Sequence, residues 1–372
     1  MIYVSCFLCS TVFAWLAQRC KGKSAVFFWS ALSVLVLSIL GGLRYPYMTV
    51  DFRIYVKPTF DIVQKSTSFA AALEESGTEV GFLFVTYLAC KIFGHVNWAL
   101  FFYQLITISC FYIGAYRHRK YVSVPLLMLV FAFIEYNNSY MIMRQSMACG
   151  IIFMGLKNLE EKKYLKFSLY ILVANLFHSS ALICFPLLIG VHMVMTSETV
   201  VKKNWLNFFI MCSAVMILMY TKPIILLILG YYNVESTEKY INYAFSARFY
   251  GAGNWSTIVI LFILLLTLVL YSKRAKTVIM PTGGGGLNFL QFSLLVHIIY
   301  FIFVSFMEGR VFLYSRYMYL LPFAQIPKLI REKHLRVIAL LCVVSYSVLF
   351  WLNFYVFRGW LKVVYPYRSI LQ

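Results

Sequence analysis

Asn137-Asn-Ser-Tyr-Met-Ile-Met-Arg144-Gln145-Ser-Met-Ala148 opens the stretch on which the fold turns. An apolar segment follows, then a charged knot of Lys157, Glu160, Glu161, Lys162, Lys163 and Lys166. A second apolar segment ends at Phe177-His178-Ser179-Ser180-Ala181-Leu182, with Pro186 beyond it. If both segments cross a bilayer, the knot lies on one face and Arg144 and His178 meet on the other. Ionisable groups at membrane depth are costly and mark functional sites.

The composition agrees with a bilayer. The chain is 62% hydrophobic and 12% charged, with a mean hydropathy of +0.79. Apolar runs of about 17–25 residues recur from end to end, and the alternating pattern of a lipid-facing barrel is absent. The reading is an all-α polytopic membrane protein. Ile2–Leu16 lacks a charged start and a small-residue cleavage site, so it reads as a retained helix. The formal charge of +20 does not point to nucleic acid. More than half of the 33 basic residues fall in six short clusters, Arg19–Lys23, Arg117–Lys120, Lys157–Lys166, Lys202–Lys203, Lys273–Lys276 and Lys328–Arg336. Short basic loops of this kind are cytoplasmic under the positive-inside rule. The nine cysteines are scattered through apolar segments, and Cys6 and Cys9 read as buried thiols.

Alternating basic and polar clusters predicts about twelve membrane helices, at 2–17, 25–42, 97–116, 121–136, 141–157, 164–178, 179–196, 205–222, 255–272, 287–307, 312–328 and 335–353. They form one transmembrane domain over 1–372, with outer loops near 43–79 and 230–254. Glu79–Phe93 does not fit the alternation. Counting it as a span would invert every later basic cluster, so it reads as a re-entrant or short helix dipping from the outer side. The rival is an N-terminus facing inside. Gly283–Gly286 has neither a preceding strand nor a following Lys-Ser/Thr, so it reads as a linker and not a phosphate loop.

On this map Arg44, Asp51, Glu79, Arg144, Gln145, His178, Arg248, Arg310, Arg316 and Tyr317 all fall at the outer face. Arg144 is expected one turn into a helix capped by Asn137-Asn138-Ser139. A guanidinium beside free helix N–H groups makes an anion site, and several arginines suit a pyrophosphate. Each residue also has an ordinary explanation. A single Arg at a helix end commonly anchors at the interface, a lone His commonly packs, and Glu79 could cap its own helix. Metal-ligand spacing, a Gly-x-Ser-x-Gly elbow and mid-membrane acids are not found.

The order of motifs resembles the EpsG-like family of Wzy-type O-antigen and exopolysaccharide polymerases. Gly41-Gly-Leu-Arg44-Tyr45 with Asp51-Phe-Arg-Ile-Tyr55 is similar to the family's first outer motif. Glu79-Val-Gly81-Phe82 is similar to its Glu-x-Gly-Phe, and Arg144-Gln145 with Ala148 to its Arg-Gln-x-x-Ala helix. The Phe177-His178 block, Arg316-Tyr317 and Tyr365-Pro366-Tyr367 follow in order. One departure is that Met48-Thr49-Val50 precedes Asp51 where the pattern has a glycine.

The resemblance implies a polymerase of surface polysaccharide in a bacterial cytoplasmic membrane. Its donor and acceptor would be oligosaccharide repeat units linked to polyprenyl pyrophosphate, and its active site would face outward. A GT-C-like helix arrangement is compatible with that role. Arg144, Arg316 and Arg44, with Gln145, Arg248 and Arg310, would hold the pyrophosphate, and Tyr45 and Tyr317 would contact other parts of the substrate. His178, Asp51 or Glu79 would take the acceptor proton, and the residues do not choose among the three. No metal, nucleotide or other cofactor is expected. Membrane lipid, a chain-length regulator and a flippase are the expected partners. A glycan ligase using the same donor is the closest rival. An acyltransferase should carry its key residues inside, and a lipid-linked sugar flippase should carry a central cationic cavity.

Overall fold

Among the described residues of the computed structural model, four helices are long and apolar enough to cross a membrane. They are α1 (Ile2–Arg19), α2 (Lys23–Gly42), α6 (Val96–Arg117) and the continuous Lys333–Phe357 segment that begins with α13 (Lys333–Trp351). The structure describes residues 2–196, 296, 313–330, 332–357 and 367–370. The described residues are helical, with one isolated bridge between Arg44 and Ser369 and no strand. Residues Met1–Leu182 with Leu320–Gln372 form one compact unit, and Ile183–Tyr319 a second.

The twelve expected helices do not all appear as long spans. Those at 205–222, 255–272 and, apart from residue 296, 287–307 lie outside the described residues. The one at 121–136 narrows to α7 (Val124–Ile134), and the one at 312–328 to α12 (Leu320–Leu329). The one at 179–196 breaks into a 3-10 turn (Ser179–Ile183), a wide turn (Phe185–Gly190) and α11 (Val191–Thr196). Pro186 sits at the start of the wide turn, where its missing N–H breaks no helical bond. The remainder of the first unit comprises α3 (Lys57–Lys65), α4 (Phe69–Ser76), α5 (Val80–Leu88), the short α8 (Tyr136–Ser139), α9 (Met143–Glu160) and α10 (Tyr164–Asn175).

Small and polar residues hold the helices of the first unit together, as expected where lipid leaves little hydrophobic drive between them. Ser10 and Ser33 each donate to the other's carbonyl at 2.8 Å, joining α1 to α2. Gly150 brings α9 against α6 so closely that a Cβ would stand 2.9 Å from the Thr107 carbonyl oxygen. Further along, Phe153 stacks on Phe111 at 4.6 Å, and Arg117 donates to Met154 O at 2.8 Å. The two helices therefore run parallel.

The contacts sort the first unit into two ends. At the basic end Arg117 also reaches the Tyr170 hydroxyl, Lys157 pairs with Glu160 at 2.6 Å, and Lys328 donates to Val122 O at 2.9 Å. At the other end Asn97 donates to Gly42 O and Arg44 O at 2.6 and 2.9 Å. The expected grouping of basic clusters 117–120, 157–166 and 328 away from Arg44 is thus visible in the helix contacts.

The segment Phe69–Phe93 is a helical hairpin. Its arms share one end, where Lys91 donates to Ser66 O at 2.8 Å. Phe69 packs edge-on against Phe84 and Tyr87. Gly77 turns the tip with φ at +56°, in the left-handed region that suits glycine. The return arm, α5, lies antiparallel along α6, with Phe93 stacked on Trp98 and Phe82 on Tyr103. Tyr103 lies roughly 9 Å along α6 from Asn97 at 1.5 Å per residue. The hairpin therefore carries its tip, and Glu79, down the side of α6 and returns to the end it left.

The close approach of α6 and α9 yields a prediction. Gly150→Ala places a methyl group against backbone that cannot rotate away, so it should cost about 1–3 kcal/mol. The check is a lowered melting temperature of the detergent-purified protein.

Candidate functional site

Three chain segments that are distant in sequence bring Glu79, Arg144 and His178 together. Arg144 is the second residue of α9. His178 follows directly on α10, held by its N–H to Ala174 O at 3.0 Å. Glu79 stands at the tip of the hairpin, just before α5. Gly81 is the reason the tip can reach them. Its N–H donates to Leu176 O at 2.7 Å, and a Cβ there would lie 2.8 Å from the same oxygen. The Glu-x-Gly spacing thus places a backbone joint two residues from the acid.

Glu79 divides its carboxylate between two partners. Oε2 accepts from Arg144 Nη1 at 2.6 Å, and Oε1 meets His178 Nδ1 at 3.1 Å. Its side chain therefore does not cap α5. The Arg144 guanidinium also lies 3.6 Å from the centre of the Tyr55 ring and 5.9 Å from that of Phe82. Cation–π contacts of this kind contribute up to about 2 kcal/mol when desolvated. Glu79, Arg144 and His178 are each mostly buried yet keep part of their surface open.

Burial alone would raise the pKa of Glu79. The His178 hydrogen bond and the Arg144 charge outweigh it and lower the pKa from 4.5 to about 2. Glu79 is therefore ionised at neutral pH and can only accept hydrogen bonds. The proton between Glu79 and His178 accordingly sits on Nδ1, which leaves Nε2 of a neutral imidazole as the acceptor. A carboxylate that orients a histidine in this way prepares it for general base work.

The other sequence candidates take different places. Asp51 is buried, and its Oδ2 accepts from the backbone N–H of Met143 at 2.8 Å. The start of α9 is thus capped from a distant loop and not by Asn137-Asn138-Ser139, which form the separate turn α8. Arg44 is only 2% exposed, with its guanidinium 4.4 Å over the Tyr140 ring. Gln145 is buried in α9. Tyr45 is exposed, with its ring beside Tyr47 at 5.9 Å. Arg316 and Tyr317 belong to the second unit. Arg248 and Arg310 lie outside the described residues. The missing glycine before Asp51 has a simple resolution, since Pro46–Met48 form a 3-10 turn and Thr49 is extended at φ −119°. Among the described residues no cluster of three or more His, Cys, Asp or Glu could hold a metal ion.

Tyr55 is a site residue that the sequence reading quoted without assigning it a role. Its signal was present, because it stands four positions after Asp51 and that spacing repeats a helical face. Phe82 was likewise hidden as the apolar member of the Glu79-Val-Gly81-Phe82 motif.

Two outcomes follow from this geometry. Gly81→Ala should push the hairpin tip off Leu176 and lower activity by roughly 10²-fold, the scale of an ångström-level misplacement. The check is turnover alongside a melting curve. The second concerns acid. Because the folded pKa of Glu79 is depressed, its stabilisation is complete above about 4.5 and is lost as pH falls toward about 2. Glu79→Gln should therefore be less stable than the parent at neutral pH, and the gap in melting temperature should close across that window.

The sequence comparisons bear on the whole chain. Neither a curated protein nor a solved structure matches it. The EpsG family model matches residues 27–369, a range that holds the Arg44 loop, the Glu79 hairpin, Arg144, His178 and the C-terminal segment. The chain belongs to the EpsG family.

Proposed function

We propose that this protein is a membrane glycosyltransferase that polymerises surface polysaccharide from polyprenyl-pyrophosphate-linked repeat units. The observation that carries the reading is the single carboxylate of Glu79 joining Arg144 to His178. The acceptor hydroxyl oxygen attacks the anomeric carbon of the donor and gives its proton to His178 Nε2. The bond from that carbon to the pyrophosphate oxygen breaks, and the pyrophosphate leaves with the electron pair. Arg144 keeps guanidinium donors beyond the one given to Glu79, and these stabilise the charge gathering on the leaving group. Glu79 holds both partners in register and does not itself take the proton. Attack opposite the leaving group inverts the anomeric centre.

Family membership supports the polymerase class. The separation of Arg144 and His178 from the basic end of the first unit supports an outward-facing site under the positive-inside rule. On this reading the hairpin Phe69–Phe93 is the re-entrant element, with its return arm packed on α6 through Phe82 and Tyr103. The exposed Tyr45–Tyr47 pair offers a face for sugar stacking.

The test is a purified reaction containing only the lipid-linked repeat unit. The parent should produce a ladder of chain lengths. His178→Gln should abolish it, with a fall of about 10²–10⁴ expected for a lost general base. Donor binding and melting temperature should stay near those of the parent. No ladder without a second acceptor identifies a ligase, and a ladder at parental rate with His178→Gln removes His178 from the chemistry.

A further inference from the structure

We infer that Arg44 and Asp51 are positioning residues that hold the entry to α9, and so Arg144, and that neither touches the substrate. The inference rests on the role proposed for Arg144 and replaces the direct roles expected of the first outer motif. Both residues act on the four residues that precede Arg144. Tyr140 lies under the Arg44 guanidinium at 4.4 Å, and Met143 N–H donates to Asp51 at 2.8 Å. Between them Ile142 leaves helical geometry, at φ −137° and ψ 56°, and no side chain of its own segment caps the helix. The turn is gripped at its first and last residues by one distant loop.

That loop is built to hold its position. Gly41 admits Tyr140 and Gln104, since a Cβ there would stand 3.0 Å from the Tyr140 hydroxyl and 2.6 Å from Gln104 Cγ. Asn97 binds the Arg44 carbonyl on one side. On the other, Tyr45 N–H donates to Arg368 O at 2.8 Å and Ile370 N–H to Leu43 O at 3.0 Å. Tyr136 adds a bond to Leu37 O at 2.6 Å. The Gly-Gly-Leu-Arg motif thus reads as a seat for the 136–143 turn. The burial of Arg44 and the commitment of an Asp51 oxygen to a backbone N–H both fit anchoring better than contact with a hydroxyl or a pyrophosphate.

The test uses the full chain in lipid nanodiscs, with two readouts. Hydrogen exchange over peptides spanning 140–147 reports the grip itself, and chain synthesis from the lipid-linked repeat unit reports its consequence. Asp51→Asn keeps an acceptor for Met143 N–H, whereas Asp51→Ala does not. Asp51→Ala should speed exchange there roughly fivefold, the scale of a lost helix cap, while Asp51→Asn stays within about twofold of the parent. Synthesis should follow the same order, with Asp51→Asn keeping at least about a tenth of parental turnover and Asp51→Ala losing roughly 10². Arg44→Gln, which removes the cation over Tyr140, should also speed exchange and serves if Asp51→Ala does not accumulate. The inference is overturned if Asp51→Asn is as inactive as Asp51→Ala while exchange matches the parent, because Asp51 then acts on substrate. It is equally overturned if neither Asp51→Ala nor Arg44→Gln changes exchange. A parent that makes no ladder defeats the polymerase reading alone, since the exchange comparison still decides the grip.

Discussion

A partly buried carboxylate that must remain charged is the constraint around which the first unit is arranged. Glu79 loses hydration by entering the space between α9 and α10, and an isolated carboxylate there would take up a proton. Arg144 and His178 prevent that by supplying a cation and a hydrogen-bond donor to its two oxygens. The same contacts fix the guanidinium plane and the imidazole tautomer. Stability and chemical readiness therefore come from one set of bonds. Breaking a buried pair of this kind by removing one partner is costly, because the other charge is left uncompensated.

Getting Glu79 to that position requires backbone to approach backbone. A side chain at residue 81 would hold the hairpin tip away from Leu176, and one at residue 150 would hold α9 away from α6. Neither glycine is there for a left-handed conformation, and both are there for clearance. Gly77 serves the other purpose, turning the tip at positive φ. Interhelical distance thus sets the site geometry in the same way that it sets helix association in membranes. The Arg44–Asp51 loop adds a further layer, with Arg44 on Tyr140 and Asp51 on Met143 acting just before Arg144.

Much of this was legible in the order of residues. The hydropathy set the helical class, and the starts and ends of α1, α2, α6 and α13 fall within about two residues of their expected positions. The odd parity of Glu79–Phe93 among the basic clusters set it apart, and in the structure it pairs with Phe69–Ser76 as one arm of a helical hairpin whose ends meet where Lys91 donates to Ser66 O. The twelve-span count was less legible. Hydropathy does not register the breaks inside 179–196, where Ser179–Ile183, Phe185–Gly190 and Val191–Thr196 follow one another as separate pieces. The cap of α9 was misplaced because Asn137-Asn138-Ser139 carries a local capping signature, while the group that satisfies Met143 comes from residue 51.

The sequence by itself determined the kind of molecule and the set of groups available to it. Long apolar runs cannot stay in water, and their ionisable interruptions are few enough to enumerate. It could not rank His178, Asp51 and Glu79, because all three are acceptors by composition. Only the tertiary structure decided which of the three is hydrogen-bonded to a carboxylate, which is ion-paired and which accepts from a backbone N–H. Those states depend on distances of a few ångströms between residues 65 to 99 positions apart in the chain, and local sequence carries no record of such distances.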